Sequence, residues 1–324
     1  MRRTHPTFLR ARLCRLYYHP AAEREDTVTS EILRKTMIEA ILRWQRLPLP
    51  FIGESDTYYE RAPSASEGVD LPSSHRFDVE RVGDFLLGRI CEPVGRDLRG
   101  KTAAVYRRIF EACGPYELVR TWNMIPDVND LTDGVENYHA FCNGRGDAYA
   151  ERFGDETTPH LPASTGIGSA TGCLDITFVA TSLPVLDIHH PGRQVPAGFP
   201  LPRGDYPPLF SEAVVCKGED VDFGSASGSY PVEGSELVVE GLWKQCAATV
   251  RNLEYAEERL RVSGLGQNYA RHVNVFIRRR EEALFVLDYL ARNWSRPTDR
   301  VRIHRADICL SAVSMEVEFT AVSV

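Results

Sequence analysis

The sequence predicts an α+β fold built from two similar units in tandem. Three observations carry this. The order helix, strand, helix, strand, strand occurs twice, at 100–181 and again at 235–322. The run CLDITFVAT (173–181) matches VSMEVEFTA (313–321) in pattern and in its place at the end of each series. A chain of 324 residues with 43% hydrophobic content has material for two cores, each in a unit of ordinary domain size. The expected units are 1–186, with an extra helix and a long loop, and 187–324. They pack as a pseudo-dimer with mixed sheets, helices on one face and a site at the junction.

Residues 8–18, FLRARLCRLYY, read as an early strand, and helical periodicity runs from about Thr29 to Arg46, before Pro48 and Pro50. From Gly53 to Ser74 the chain turns to Gly, Ser, Pro and acidic residues, a long surface excursion. Alternation resumes over 76–90. A helix at 100–113 stops at Gly114-Pro115, a strand follows at 116–125, and a helix at about 133–153 opens on Asp133. The second series starts with a helix at 235–261, whose expected apolar stripe includes Leu242, Trp243, Cys246, Val250 and Leu253. Strand 272–278, helix 281–293 and strands 301–308 and 313–322 complete it.

Composition narrows the function. With 38 basic against 45 acidic side chains the net charge is −7, which argues against nucleic-acid binding. No apolar run reaches bilayer length, and MRRTHPTFLR lacks the apolar segment of a signal peptide, so a cytoplasmic protein is expected. Eight scattered cysteines with no CxxC pair suggest neither a zinc site nor a disulfide framework, and no metal or cofactor is expected. Nothing in the sequence sets an oligomeric state.

Chemistry concentrates in a few stretches. In the last strand Val313, Met315, Val317 and Phe319 share one face, and Ser314, Glu316, Glu318 and Thr320 the other. Two carboxyls at i and i+2 repel when both ionise, so one is suited to keep its proton and act as a general acid. The plainer alternative is a half-exposed terminal strand with solvated glutamates. In GVENYHAFCNGRGDAY (134–149), Gly144 and Gly146 bracket Arg145 inside a helix, which points to close backbone approach and offers Arg145 as a carboxylate binder. LPASTGIGSATG (161–172) precedes a strand, so its glycines read as close backbone contacts and not as a dinucleotide loop. GSASG (224–228) has Ala226 where a nucleophile elbow needs serine, and its small residues leave room for a ligand. His189-His190 reads as a surface pair. Arg278 ends a strand and is placed to face a cleft.

Together these stretches resemble the chorismatase family, enzymes that convert chorismate to pyruvate and a ring product. The resemblance rests on VRTWNMIPDVN (119–129), GVENYHAFCNGRGDAY (134–149), LPASTGIG (161–168), PGRQVPA (191–197), FGSAS (223–227), ADIC (306–309) and MEVE (315–318). It implies Rid/YjgF-like units, chorismate as the substrate and no cofactor. It also implies Glu316 as the catalytic acid, with Arg145, Arg193, Arg278, Tyr138, Ala226 and Cys309 at the substrate. Within the resemblance Cys309 marks members that make 3-hydroxybenzoate, whereas Ala226 marks those that make a dihydroxycyclohexadiene carboxylate. The chain departs from the family pattern at Gly198-Phe199-Pro200, at GSYPVEG (228–234), which lacks a histidine, and at Leu310 where arginine is common. Two other readings stay open: an enzyme of the same fold acting on another enol ether or an imine, and a non-catalytic Rid-like binding protein.

Overall fold

The computed structural model describes residues 51–55, most of 76–188 and of 206–323, and scattered positions between 32 and 43. The expected strand 8–18, most of the 53–74 excursion, His189-His190 and Arg193 lie outside the described residues. Described positions of the expected 29–46 helix are helical, and two of them, Met37 and Ala40, are buried in the first core.

In chain order the elements are β1 (Phe51–Ser55), β2 (Arg76–Val82), β3 (Phe85–Pro93), α1 (Leu98–Cys113) and β4 (Glu117–Pro126). A small hairpin, β5 (Leu131–Thr132) and β6 (Val135–Glu136), leads to α2 (Asn137–Phe153), β7 (Ala163–Ser169) and β8 (Cys173–Thr181). Then come β9 (Val185–Ile188), β10 (Ala213–Cys216), β11 (Phe223–Ser229), a second small hairpin of β12 (Val232–Glu233) and β13 (Glu236–Leu237), and α3 (Leu242–Val262). The chain closes with β14 (Tyr269–Ile277), α4 (Ala283–Asn293), β15 (Arg300–Arg305) and β16 (Met315–Ser323).

This is a mixed α+β fold with two main sheets. The first has the order β2-β3-β8-β4-β7, antiparallel except for the β4–β7 pair. The second is β1-β15-β14-β16-β11-β10-β9. Without its outer strands β1 and β9 it reads β10-β11-β16-β14-β15, and its parallel pair, β14–β15, falls in the matching place. Strand β1 comes from the first half of the chain yet pairs with β15, so the second sheet borrows an edge from residues before 186. Strand β9 spans the expected boundary at 186/187 and pairs with β10.

Local chemistry explains the differences from the expected elements. The 133–153 helix begins only at Asn137 because Asp133 (φ 51°) and Gly134 (φ 84°) form the hairpin turn, both left-handed as a type I′ turn requires. The 235–261 helix begins at Leu242, after Gly241 at φ 63° redirects the chain. Trp243, expected on the apolar stripe, is 61% exposed, since adjacent helical residues sit about 100° apart and Leu242, Cys246, Val250 and Leu253 take the core face. Helix α1 follows expectation: the Asp97 side chain accepts from Gly100 N–H at 2.9 Å, and Gly114 closes the helix through its N–H to Phe110 O.

Candidate active site

The two sheets meet where β7 runs beside β11. Ser227 on β11 stitches the seam: its Oγ accepts the Ser164 N–H at 2.7 Å and donates to Ser211 O at 2.5 Å. Gly168 donates its N–H to Asp307 O at 2.7 Å, and a Cβ on Gly168 would crowd that backbone. Of the glycines in 161–172, Gly168 serves the close backbone approach that the residue pattern suggests, whereas Gly166 faces the Tyr138 and Ile125 side chains and Gly172 faces open space.

A small pocket opens at this seam, lined by Tyr138, Phe141 and Arg145 from α2, Ser164 and Gly166 from β7, and Gly228, Tyr230, Phe210, Cys309 and Glu316 from the second half of the chain. Helix α2 reaches it because its glycines let it lie low. A Cβ at Gly144 would overlap the Arg99 carbonyl of α1, and one at Gly146 would overlap Tyr206. Arg145 is 3% exposed and donates from Nη1 to Ser164 Oγ at 3.0 Å, its carbon 5.4 Å from the Phe141 ring centre. Ser164 is itself held by Asn123 (3.0 Å) and Thr121 (2.9 Å), and Asn123 by the Tyr106 hydroxyl (2.7 Å). Among the described residues no carboxylate pairs with Arg145.

Both glutamates of β16 are buried, at 2% and 1% exposure, so the strand is neither half-exposed nor terminal in the solvated sense. Its apolar face packs into the second core, while the polar face turns to the first sheet. The two carboxyls have opposite surroundings. Glu318 receives Trp122 Nε1 (2.6 Å) and Asn274 Nδ2 (2.5 Å) on Oε1, and Thr165 Oγ1 (3.2 Å) on Oε2, with the Arg120 guanidinium paired to it. Four donors match a carboxylate. Glu316 lines the pocket and takes no hydrogen bond among the described residues. Burial pushes its carboxyl up to about 8, against a smaller opposing pull from Arg120. Gly228 makes room for it, since a Cβ there would overlap the Glu316 carboxyl.

Glu316, Arg145, Tyr138 and Cys309 are therefore brought together. Burial, and then the neighbouring Glu316, raise the Cys309 thiol well above its ordinary value, so it is a thiol and not a thiolate at neutral pH. Two expected residues go elsewhere. Ala226 is fully buried in the second core, beneath α3, because the register shift between Ala226 and Ser229 turns Gly228, not Ala226, to the pocket. Arg278, expected at a substrate carboxylate, donates from all three nitrogens within the loop 306–314 and its support. It reaches Val313 O (2.7 Å), Asp307 Oδ1 (2.8 Å), Asn129 Oδ1 (2.9 Å), Ile308 O (2.6 Å) and Leu310 O (3.0 Å). It thereby shapes the loop that presents Cys309, and Asn129 adds bonds to Ile308 O and Cys309 O. Arg120, Trp122 and Ser164 escaped the sequence reading, and Gly228 entered it only as one of the small residues that leave room for a ligand. The first two lie in the quoted VRTWN run, but nothing local says that they reach a strand almost two hundred residues away.

Known proteins resemble this chain over about three quarters of its length. A family model described as chorismatase FkbO/Hyg5-like, N-terminal, matches residues 64–180. A chorismatase of Streptomyces rapamycinicus is 31% identical over 252 residues, covering 74% of this chain and 75% of that protein. A 3-hydroxybenzoate synthase of Streptomyces hygroscopicus is 32% identical over 252 residues, covering 72% of each. A chorismatase crystal structure superposes with a TM-score of 0.67 at 27% identity, covering 77% of this chain and 79% of its own. The chain belongs to the chorismatase family.

Proposed function

We propose that this protein is an enzyme that converts chorismate to pyruvate and 3-hydroxybenzoate, with Glu316 as the acid that protonates the enol ether. The observation that carries the reading is a buried carboxyl, raised to about 8 and free of hydrogen bonds among the described residues, on the wall of a pocket that also holds the Arg145 guanidinium. Chorismate supplies what each group needs. Its carboxylates call for a cation, which Arg145 presents already oriented by Ser164. Arg193 of the PGRQVPA motif is proposed as the second such partner, on the resemblance alone.

The enol ether methylene takes the proton of Glu316 and becomes a methyl group, leaving an oxocarbenium ion beside the new carboxylate. Capture by the ring hydroxyl consumes no water and returns the hydroxyl proton to Glu316. One ring C–O bond then breaks and its oxygen leaves as the carbonyl oxygen of pyruvate, while the ring carbon that keeps its oxygen loses its C–H proton and that oxygen gains one, leaving 3-hydroxybenzoate. Capture by water consumes one molecule and leaves the dihydroxycyclohexadiene carboxylate. Of the two residues linked to this choice, Cys309 lines the pocket and Ala226 does not, which supports the aromatic product.

The architecture is read as two Rid/YjgF-like units, about 1–186 and 187–324, packed as a pseudo-dimer. The matching strand orders and the parallel pair in the same place of each sheet support it. Purified protein incubated with chorismate should release equal amounts of pyruvate and 3-hydroxybenzoate, read by enzymatic pyruvate assay and chromatography. Absence of pyruvate overturns the substrate, and a non-aromatic diol acid as the main product overturns the role given to Cys309.

A further inference from the structure

Two buried carboxyls stand two residues apart on β16, and one buried guanidinium serves them both. Arg120 is 0% exposed, stacks on the Trp122 ring at 4.5 Å and pairs with Glu318, its Nη2 also reaching Thr165 Oγ1 at 2.6 Å. Its Nε and Nη1 have no partner among the described residues, so any change at Glu318 frees a cation with donors to spare. Trp122, Thr165 and Asn274 all aim at Glu318, and none at Glu316.

We propose that Glu318 is a positioning residue: by taking up the charge of Arg120 it holds that guanidinium off Glu316 and keeps Glu316 the neutral acid that the reaction needs. This rests on the reading of Glu316 as the acid. A buried cation without a counter-ion is costly, and the other carboxyl that feels Arg120 is Glu316. With Glu318 neutral, Glu316 would ionise to supply the missing charge and lose its proton before meeting substrate. Among the described residues, the titratable and charged groups around Glu316 are Arg120 on β4, Tyr138 and Arg145 on α2, Cys309 on the 306–314 loop, Tyr230 after β11, and Glu318 on its own strand. Arg145 is anchored to Ser164, and none of the variants below alters either residue, which leaves Arg120 as the variable cation among the described residues.

The test compares wild type, Glu318→Gln, Glu318→Asp and the double variant Arg120→Met/Glu318→Gln. Glu316 is titrated without substrate by the infrared carboxyl C=O band, assigned by its loss in Glu316→Gln. In Glu318→Gln the midpoint should fall by about 1–2 pH units, as for a carboxyl that gains a nearby cation. The alkaline limb of the pH–kcat profile on chorismate should move down with it. Glu318→Asp keeps the charge and should restore the wild-type midpoint. The double variant removes the pair as a whole and should return the midpoint to the wild-type position or above, a readout that holds even if Glu318→Gln fails to fold. An unmoved midpoint in folded Glu318→Gln, or a lowered one in the double variant, overturns the proposal. Absence of pyruvate from wild type with the infrared shifts intact would instead reject the chorismate reading and leave the Glu318–Arg120 coupling standing.

Discussion

Glu316→Gln keeps the side chain's shape and removes its acidic proton. At a value of about 8 the carboxyl is about nine-tenths protonated at pH 7, whereas at the ordinary 4.5 it would be protonated about one time in 300. Burial at this site therefore supplies a gain of about 300-fold in the acid form before any chemistry. Losing the proton altogether should cut pyruvate release by about 10²–10⁴, the usual worth of general acid catalysis, with chorismate binding retained by calorimetry. The wild-type rate should fall as pH rises through about 8, because the acid works protonated. Stability should report the same group with a definite sign. Between about 4.5 and about 8 the unfolded chain gives up a proton that the folded chain keeps, so this contribution is present below 4.5 and is lost as pH rises through 8. Glu316→Gln lacks that loss. Its Tm should match wild type near pH 4 and exceed it increasingly towards pH 9. Near-normal turnover in the variant, or a wild-type rate that rises through pH 8, would refute the assignment.

Two further outcomes follow from the pocket. Arg145→Ala removes a charge-assisted contact worth about 1.5–3 kcal/mol, so KM for chorismate should rise about 10–100-fold with circular dichroism unchanged; an unchanged KM would take Arg145 out of the anion site. Gly228→Ala puts a methyl where the Glu316 carboxyl now lies, and the displaced acid should lose about 10²-fold in kcat while the protein stays folded. A Gly228→Ala enzyme with normal kcat would show that Glu316 does not work from its observed position.

The placement of Glu318 shows where local reading reaches its limit. The alternation in MEVE announces two carboxyls on one strand face, and period-two geometry guarantees that they are neighbours. It does not say what covers that face. The answer, β4 with Arg120 and Trp122 and β7 with Thr165, comes from the other sheet and gives one of two alike side chains its donors while the other has none among the described residues. Arg278 teaches the same lesson in reverse, as an arginine at a strand end looks free for a ligand until the 306–314 loop folds back over it.

By itself the sequence determined the α+β class, the repeated order of elements, and the glycines, the arginine and the glutamate that could make a site. These follow from periodicity, turn chemistry and side-chain type, which act over a few residues. Only the tertiary structure decided that Gly228 and not Ala226 faces the pocket, that Glu316 is the uncharged member of its pair, and that β1 joins the second sheet. Each of these depends on a register shift or on burial between segments far apart in the chain. Burial sets the charge of an acid through its surroundings in space, and a strand's own residues do not contain that information.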